Sequence, residues 1–300
     1  MNKIKFEPYK FQNIYLITTY RCNWECDFCL FRYNEEEEAP IEVIVDRLRY
    51  SIEDSEKKVY IKITGGEPFI KTELLRAVFE LVKEYPDKIY KVGIGTNGSI
   101  RLPNHFNDIT VRTHIFLSRH DMVDEHLTPS ELSTNVQNPL IDFRINCNLI
   151  KGGVDSVAKI EAYIKEKYSK TGVTHFCFRE LSKVDVDKNL IYPGQIYQYV
   201  DYYDSHLVAI SKLEPDIKFS SQMQYSRHTG NYYDRNYWYW YQLGDQKISV
   251  KFRSIDETKL IEFNEFLNLS IDEYVIHPDG TLTGCWDKDL KLIKEGYYAE

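Results

Sequence analysis

The chain has 300 residues, a formal net charge of −8, 43% hydrophobic and 28% charged residues. That length suits one large domain or two moderate ones with a true core. The acidic balance argues against a basic nucleic-acid-binding surface, and no apolar run reaches the ~20 residues that span a bilayer.

Residues Met1–Lys10 contain no apolar stretch of the secretory type, so the expected compartment is the reducing cytoplasm. The six cysteines are Cys22, Cys26, Cys29, Cys147, Cys177 and Cys285. Half of them fall within eight residues, whereas a disulfide framework is spread along a small secreted chain. The close trio reads as a metal site.

A strand-then-helix rhythm runs through the first part of the chain. Asn13–Thr18 reads as a strand, and after the cysteine segment Ile41, Ile44, Val45, Leu48 and Ile52 fall at helical spacing behind Pro40. Val59–Ile63 is a second strand ending at Gly65-Gly66, followed by a helix through Leu74, Leu75, Val78, Phe79 and Val82. Lys91–Ile94 is a third strand, closed by Thr96-Asn97-Gly98, and His114–Leu117 a fourth. Asp142–Leu149 is a fifth, with a helix through Val157, Ile160 and Ile164, and Thr174–Phe178 a sixth. Six such units predict an α/β fold, a parallel sheet curled into a partial (β/α)6 barrel of TIM-like type. Chemistry in such barrels gathers at the C-terminal strand ends.

The predicted division is a core over residues 12–182 and an α+β C-terminal extension over 183–300. In the extension, Ile196–Leu213 reads as one helix. The aromatic run Tyr232–Tyr241 turns through Gly244-Asp245 into Lys247–Phe252, and Tyr274–Ile276 pairs with Thr281–Cys285 across Pro278-Asp279-Gly280. The aromatic run suits either packing on the barrel or stacking on a ligand. The acidic run Glu35–Glu38 reads as a solvated face.

Cys22-x3-Cys26-x2-Cys29 places three thiolates on one short loop, suited to three corners of a cubane cluster with one iron left open. Zinc is the alternative, but it wants a fourth ligand that does not follow nearby. The cysteine spacing, Phe28 before the last cysteine, and Gly65-Gly66-Glu67-Pro68 about 36 residues further on resemble the radical S-adenosylmethionine (SAM) superfamily. Thr96-Asn97-Gly98 fits the same pattern. The resemblance covers roughly residues 12–182.

The resemblance implies that Cys22, Cys26 and Cys29 hold one [4Fe-4S] cluster and that SAM chelates its open iron. Reductive cleavage then yields a 5′-deoxyadenosyl radical that takes a hydrogen atom from substrate. Gly65, Gly66, Glu67, Pro68, Thr96, Asn97, Ser118, Arg144, Asn146 and Arg179 are the implied SAM-side residues. Arg144, Asn146 and Asn148 share one strand face by period-two alternation. Buried structural polar residues remain the alternative for these, and a rim ion pair the alternative for Arg179 and Glu180. A reducing partner such as flavodoxin or ferredoxin is implied, with no nucleic-acid or membrane partner.

The nearest branch by pattern is that of the molybdenum-cofactor cyclases, with the His277–Cys285 hairpin also resembling SPASM and twitch extensions. Two of that branch's auxiliary-cluster positions fall on Asn268 and Ile271, its substrate arginine falls at Gln12 or Tyr15, and its terminal double glycine is missing. A second cluster is not expected. The expectation is a biosynthetic tailoring enzyme acting on a small molecule or peptide by epimerisation, dehydrogenation, rearrangement or bond formation. The alternatives are a purine-nucleotide cyclase-like rearrangement and a catalytically inactive SAM/iron–sulfur scaffold. Cys285 is a candidate hydrogen-atom donor or a buried structural thiol, and Cys147 and Cys177 read as core. The acidic balance also weighs against a triphosphate substrate.

Overall fold

The computed structural model of the chain describes residues 11–29, 37–120, 127–183, 196–230, 234–256, 259, 273–284, 286 and 292–297. Six strands follow the predicted rhythm: β1 (Gln12–Ile17), β2 (Val59–Thr64), β3 (Ile89–Thr96), β4 (Thr113–Ser118), β5 (Ile141–Asn148) and β6 (His175–Arg179). They lie side by side in chain order, all parallel. The helices α1 (Ile41–Asp54), α2 (Thr72–Lys83) and α4 (Val157–Thr171) cover one face. Between β3 and β4 there is a short 3-10 turn at Asn104–Asp108, and between β4 and β5 the single turn α3 (Pro129–Leu132). These stretches carry no long apolar period, so two of the six units lack a full helix among the described residues.

The segment after residue 182 adds strands to both edges of the same sheet. β7 (Met223–Gly230), β8 (Asp234–Leu243) and β9 (Gln246–Ile255) form an antiparallel meander whose β9 pairs in parallel with β6. On the other edge, β10 (Glu273–Ile276) pairs in parallel with β1 and carries β11 (Leu282–Thr283) and β12 (Leu292–Lys294). The result is one twelve-stranded sheet in the order β12-β11-β10-β1-β2-β3-β4-β5-β6-β9-β8-β7.

The single helix expected over Ile196–Leu213 is instead two, α5 (Ile196–His206) and α6 (Ile210–Phe219). Between them Leu207 bridges to Ile150, and the Glu180 carboxylate accepts the Ile210 N–H to start the second helix. That bond also disposes of the Glu180 rim pair: the side chain caps α6.

Alternation divides every strand into two faces. Ile14, Leu16, Ile61, Ile63, Val92, Ile94, Ile115 and Leu117 pack against α1 and α2, and Ile145, Cys147, Phe176, Phe178, Val250 and Phe252 against α4 and α6. Cys147 is therefore core, as expected. The opposite face is polar and curls inward. The phenol of Tyr15 on β1 lies close enough to Arg253 on β9 for the guanidinium to lower its pKa, although five strands separate them. In a flat sheet those six steps span roughly 29 Å, so this proximity shows the sheet bent into a partial barrel. Among the described residues the edges do not pair, and the barrel stays open.

Charged groups tie this interior together. Lys62 donates to the Tyr15 hydroxyl at 2.6 Å. Arg253 makes a two-pronged pair with Asp234, both contacts at 2.9 Å. Burial raises the Tyr15 pKa, helped by the Glu273 charge. Burial brings the Lys62 ammonium down to about 8, although Glu273 and Asp234 oppose the shift.

Candidate functional site

β1 delivers the chain through Thr18–Arg21 into the cysteine loop, where the turn after β2 grips it. The Thr18 N–H bonds Thr64 O at 2.9 Å, Gly66 N–H bonds Thr19 O at 2.7 Å, and Glu67 N–H bonds Arg21 O at 2.9 Å. A Cβ on Gly66 would sit 1.9 Å from Arg21 O, and one on Gly65, whose φ is +142°, 2.4 Å from Thr19 O. Both positions require glycine. What approaches them closely is the backbone leading to Cys22.

Glu67 is wholly buried. Its carboxylate accepts Phe69 N–H at 3.0 Å, Asn97 N–H at 2.8 Å and the Thr96 hydroxyl at 2.8 and 3.0 Å. Burial raises its pKa, and these donors oppose the rise. The side chain thereby joins the end of β2 to the end of β3, while Pro68 opens the buried turn that follows. Asn97 completes the link. Its amide donates to Asn23 Oδ1 at 2.8 Å and to Cys22 Sγ at 3.7 Å, and its Oδ1 accepts from Ser99.

Cys22 is exposed, and Cys26 and Cys29 are partly buried. Cys29 N–H closes a turn on Cys26 O at 3.0 Å, and Trp24 N–H points at Cys22 Sγ at 3.4 Å. Burial pushes the Cys22 thiol up, and the Trp24 and Asn97 donors pull against it. Among the described residues, no three His, Cys, Asp or Glu side chains converge as ligands of a single ion. Three thiols on one loop, one of them receiving two N–H donors, fit the spread corners of a cubane cluster.

The ends of the other strands lie on the same C-terminal edge of the parallel sheet as this loop. Ser118 on β4 and Asn146 on β5 are register partners, and Asn148 pairs with Arg179 on β6. Arg144 shares the inner face but lies nearer the N-terminal ends. It bonds Asp142 at 3.1 Å and His114 at 3.3 Å, away from the cysteines. Cys285 and the Asn268 and Ile271 positions lie outside the described residues, as do Glu35, Glu36, Tyr232 and Tyr233.

Two residues escaped the sequence reading. Arg119 is 4% exposed and donates to Asn97 O and Leu127 O, each at 2.7 Å, so it binds the end of β3 to the chain after β4. Burial brings its pKa down to about 10. Gly98 leaves room for it, because a Cβ there would meet the guanidinium at 2.7 Å. His120 accepts Asn148 N–H at 3.0 Å and meets the ring of Phe28 edge-on at 4.6 Å. Their one signal is position, directly after Ser118 at a strand end.

Glu38 leaves the solvated-face expectation. It accepts the Thr19 hydroxyl at 2.6 Å, pairs with Lys71, and lies 3.5 Å from Arg21. Burial would raise its pKa, but the Lys71 and Thr19 hydrogen bonds and the nearby cations bring it below the ordinary value. Its contribution to stability is complete above the unfolded pKa of about 4.3 and is lost as pH falls through the lower folded value. Urea midpoints of Glu38→Gln and the parent, followed from about pH 7 to about pH 3, should therefore converge on the acid side. Midpoints that stay equally separated throughout would show that Glu38 makes no such contribution.

Residues 16–112 match the family model of the Radical SAM superfamily. That segment is about a third of the chain and contains the cysteine loop, Gly65–Pro68 and Thr96-Asn97-Gly98. No curated protein matches it. Among solved structures, anSMEcpe with bound AdoMet is 17% identical over 56% of this chain and 50% of that one, at a TM-score of 0.40. Thus the chain spans about half the length of that structure. A second anSMEcpe structure is 13% identical over 93% and 79% at 0.47. Streptococcus suis SuiB bound to precursor peptide SuiA is 17% identical over 97% and 63% at 0.45. No helix of the described residues is long and apolar enough to cross a membrane.

Proposed function

We propose that the chain is a single-cluster radical SAM enzyme that removes a hydrogen atom from a small-molecule or peptide substrate in a biosynthetic tailoring step. Cys22, Cys26 and Cys29 would hold the [4Fe-4S] cluster, with SAM over the turn at Gly65–Pro68 and the strand ends at Ser118 and Asn146. When bound, these groups supply a radical able to break an unactivated C–H bond. The chain's part is to hold the thiolates in register, to orient the ligand and to keep water from the interior. The observation that carries this reading is the clamp of Gly66 and Glu67 on the backbone entering Cys22. Its purpose is to fix the only segment with three thiols.

Iron content tests it. After anaerobic reconstitution the parent chain should hold about four iron atoms. Cys22→Ala, Cys26→Ala and Cys29→Ala should each lose most of them, while Cys147→Ala and Cys177→Ala keep them. Loading that survives the three loop variants would overturn the assignment.

A further inference from the structure

The interior of the barrel has a charge of its own. Across the seam of β6 and β9, side chains on the inner face line up in rungs. Asn148 meets Arg179 and Arg253, and one step deeper Asn146 meets Cys177 and Lys251. The deeper rung continues through Trp238 on β8 to Arg227 on β7. Arg253 is matched by Asp234. Arg179, Lys251 and Arg227 are not: among the described residues none has a carboxylate at ion-pair distance. Lys251 has instead the face of Trp238 at 5.5 Å, with the Arg227 guanidinium 5.1 Å from the same ring.

A cation drawn into a barrel without a counter-ion is expensive. Burial lowers the pKa of both Lys251 and Arg179 and the Arg253 charge lowers both further, while Asp234, already paired with Arg253, opposes the shift only from a distance. Both nevertheless keep some exposed surface, as residues lining an open lumen do. A fold gains nothing from two such charges facing one space unless something anionic enters it. The whole-chain charge of −8 weighs against a triphosphate substrate, but that balance does not describe this seam.

We infer that Arg179 and Lys251 form an anion subsite that receives a carboxylate or phosphate group of the substrate, with Trp238 and Arg227 as its outer wall. The inference rests on the radical SAM reading for the word substrate. The anion site itself can be tested without that reading. Two cations of different shape suit it: the planar guanidinium offers paired N–H donors, and the ammonium a point charge.

The test is calorimetric titration of the full chain at low salt with inorganic phosphate and, separately, with glutarate. SAM binding and 5′-deoxyadenosine formation are measured on the same preparations. At least one anion should bind, and Lys251→Met and Arg179→Met should each weaken it by about tenfold or more. Lys91→Met, at the far end of the inner face, should not. Whichever probe binds better distinguishes a phosphate from a carboxylate group. The melting temperature of Lys251→Met should hold or rise, because an unmatched charge is removed. The subsite is overturned if neither anion binds, if the variants bind as the parent does, or if Lys251→Met melts well below it. It is also overturned if SAM affinity falls in parallel, which would assign the pair to the methionine carboxylate. Absence of 5′-deoxyadenosine with anion binding intact would count against the enzyme reading alone.

Discussion

Replacing Gly66 by alanine is expected to cost roughly 3 kcal/mol or more of stability and to prevent cluster loading. The added methyl carbon would lie 1.9 Å from the carbonyl oxygen of Arg21. That oxygen is backbone and has no rotamer to escape into. It also accepts the Glu67 N–H, and Gly66 itself donates to Thr19. Relief of the clash therefore breaks the bonds that hold the start of the cysteine loop. Gly95→Ala is the matched control. It sits on β3 with its nearest neighbour at 3.9 Å, an ordinary contact, and should change stability by less than about 1 kcal/mol. Urea denaturation and iron content of the two variants, measured side by side, check this. Equal stability in both would refute the close-approach argument.

Glu67→Ala should be nearly as damaging for a different reason. It strands the N–H groups of Phe69 and Asn97 and the hydroxyl of Thr96 in a buried space, and each orphan costs about 1–3 kcal/mol. Relaxation and water entry make the sum smaller than its parts, so the expected loss is roughly 3–5 kcal/mol. Glu67→Gln separates shape from acceptor capacity. It fills the same volume but turns an NH2 group toward donors, so it should fall between the parent and Glu67→Ala. The same urea titrations read both variants. A Glu67→Gln chain as unstable as Glu67→Ala would mean that the site depends on charge rather than on the count of acceptors.

The parallel strands and their helices were legible because each is a local pattern. Val59–Ile63 alternates, Leu74–Val82 repeats at helical spacing, and glycines end the strands. The cysteine loop and Gly65–Pro68 were legible as motifs, but the reason for the glycines was not. Only the fold shows that Arg21 O comes within reach. The break at Leu207–Ala209 was hidden because the carboxylate that starts the second helix comes from Glu180, thirty residues earlier. The charged interior was hidden for a subtler reason. Alternation in Lys247–Phe252 separates two faces of a strand, yet it does not say whether the polar one meets bulk water or a lumen. Lys251 and Arg253 acquire that meaning from β9 pairing with β6, and Tyr15 from β1 curling round to meet Arg253. Both are partnerships between segments far apart in sequence, with no local trace.

The central claim is that the Cys22–Cys29 loop, held by Gly66 and Glu67, initiates radical chemistry on SAM. The most direct measurement is product analysis of the anaerobically reconstituted full chain after addition of dithionite and SAM. The account predicts 5′-deoxyadenosine and methionine in equal amounts, both absent from Cys26→Ala. A chain carrying its full complement of iron that releases neither product would contradict it.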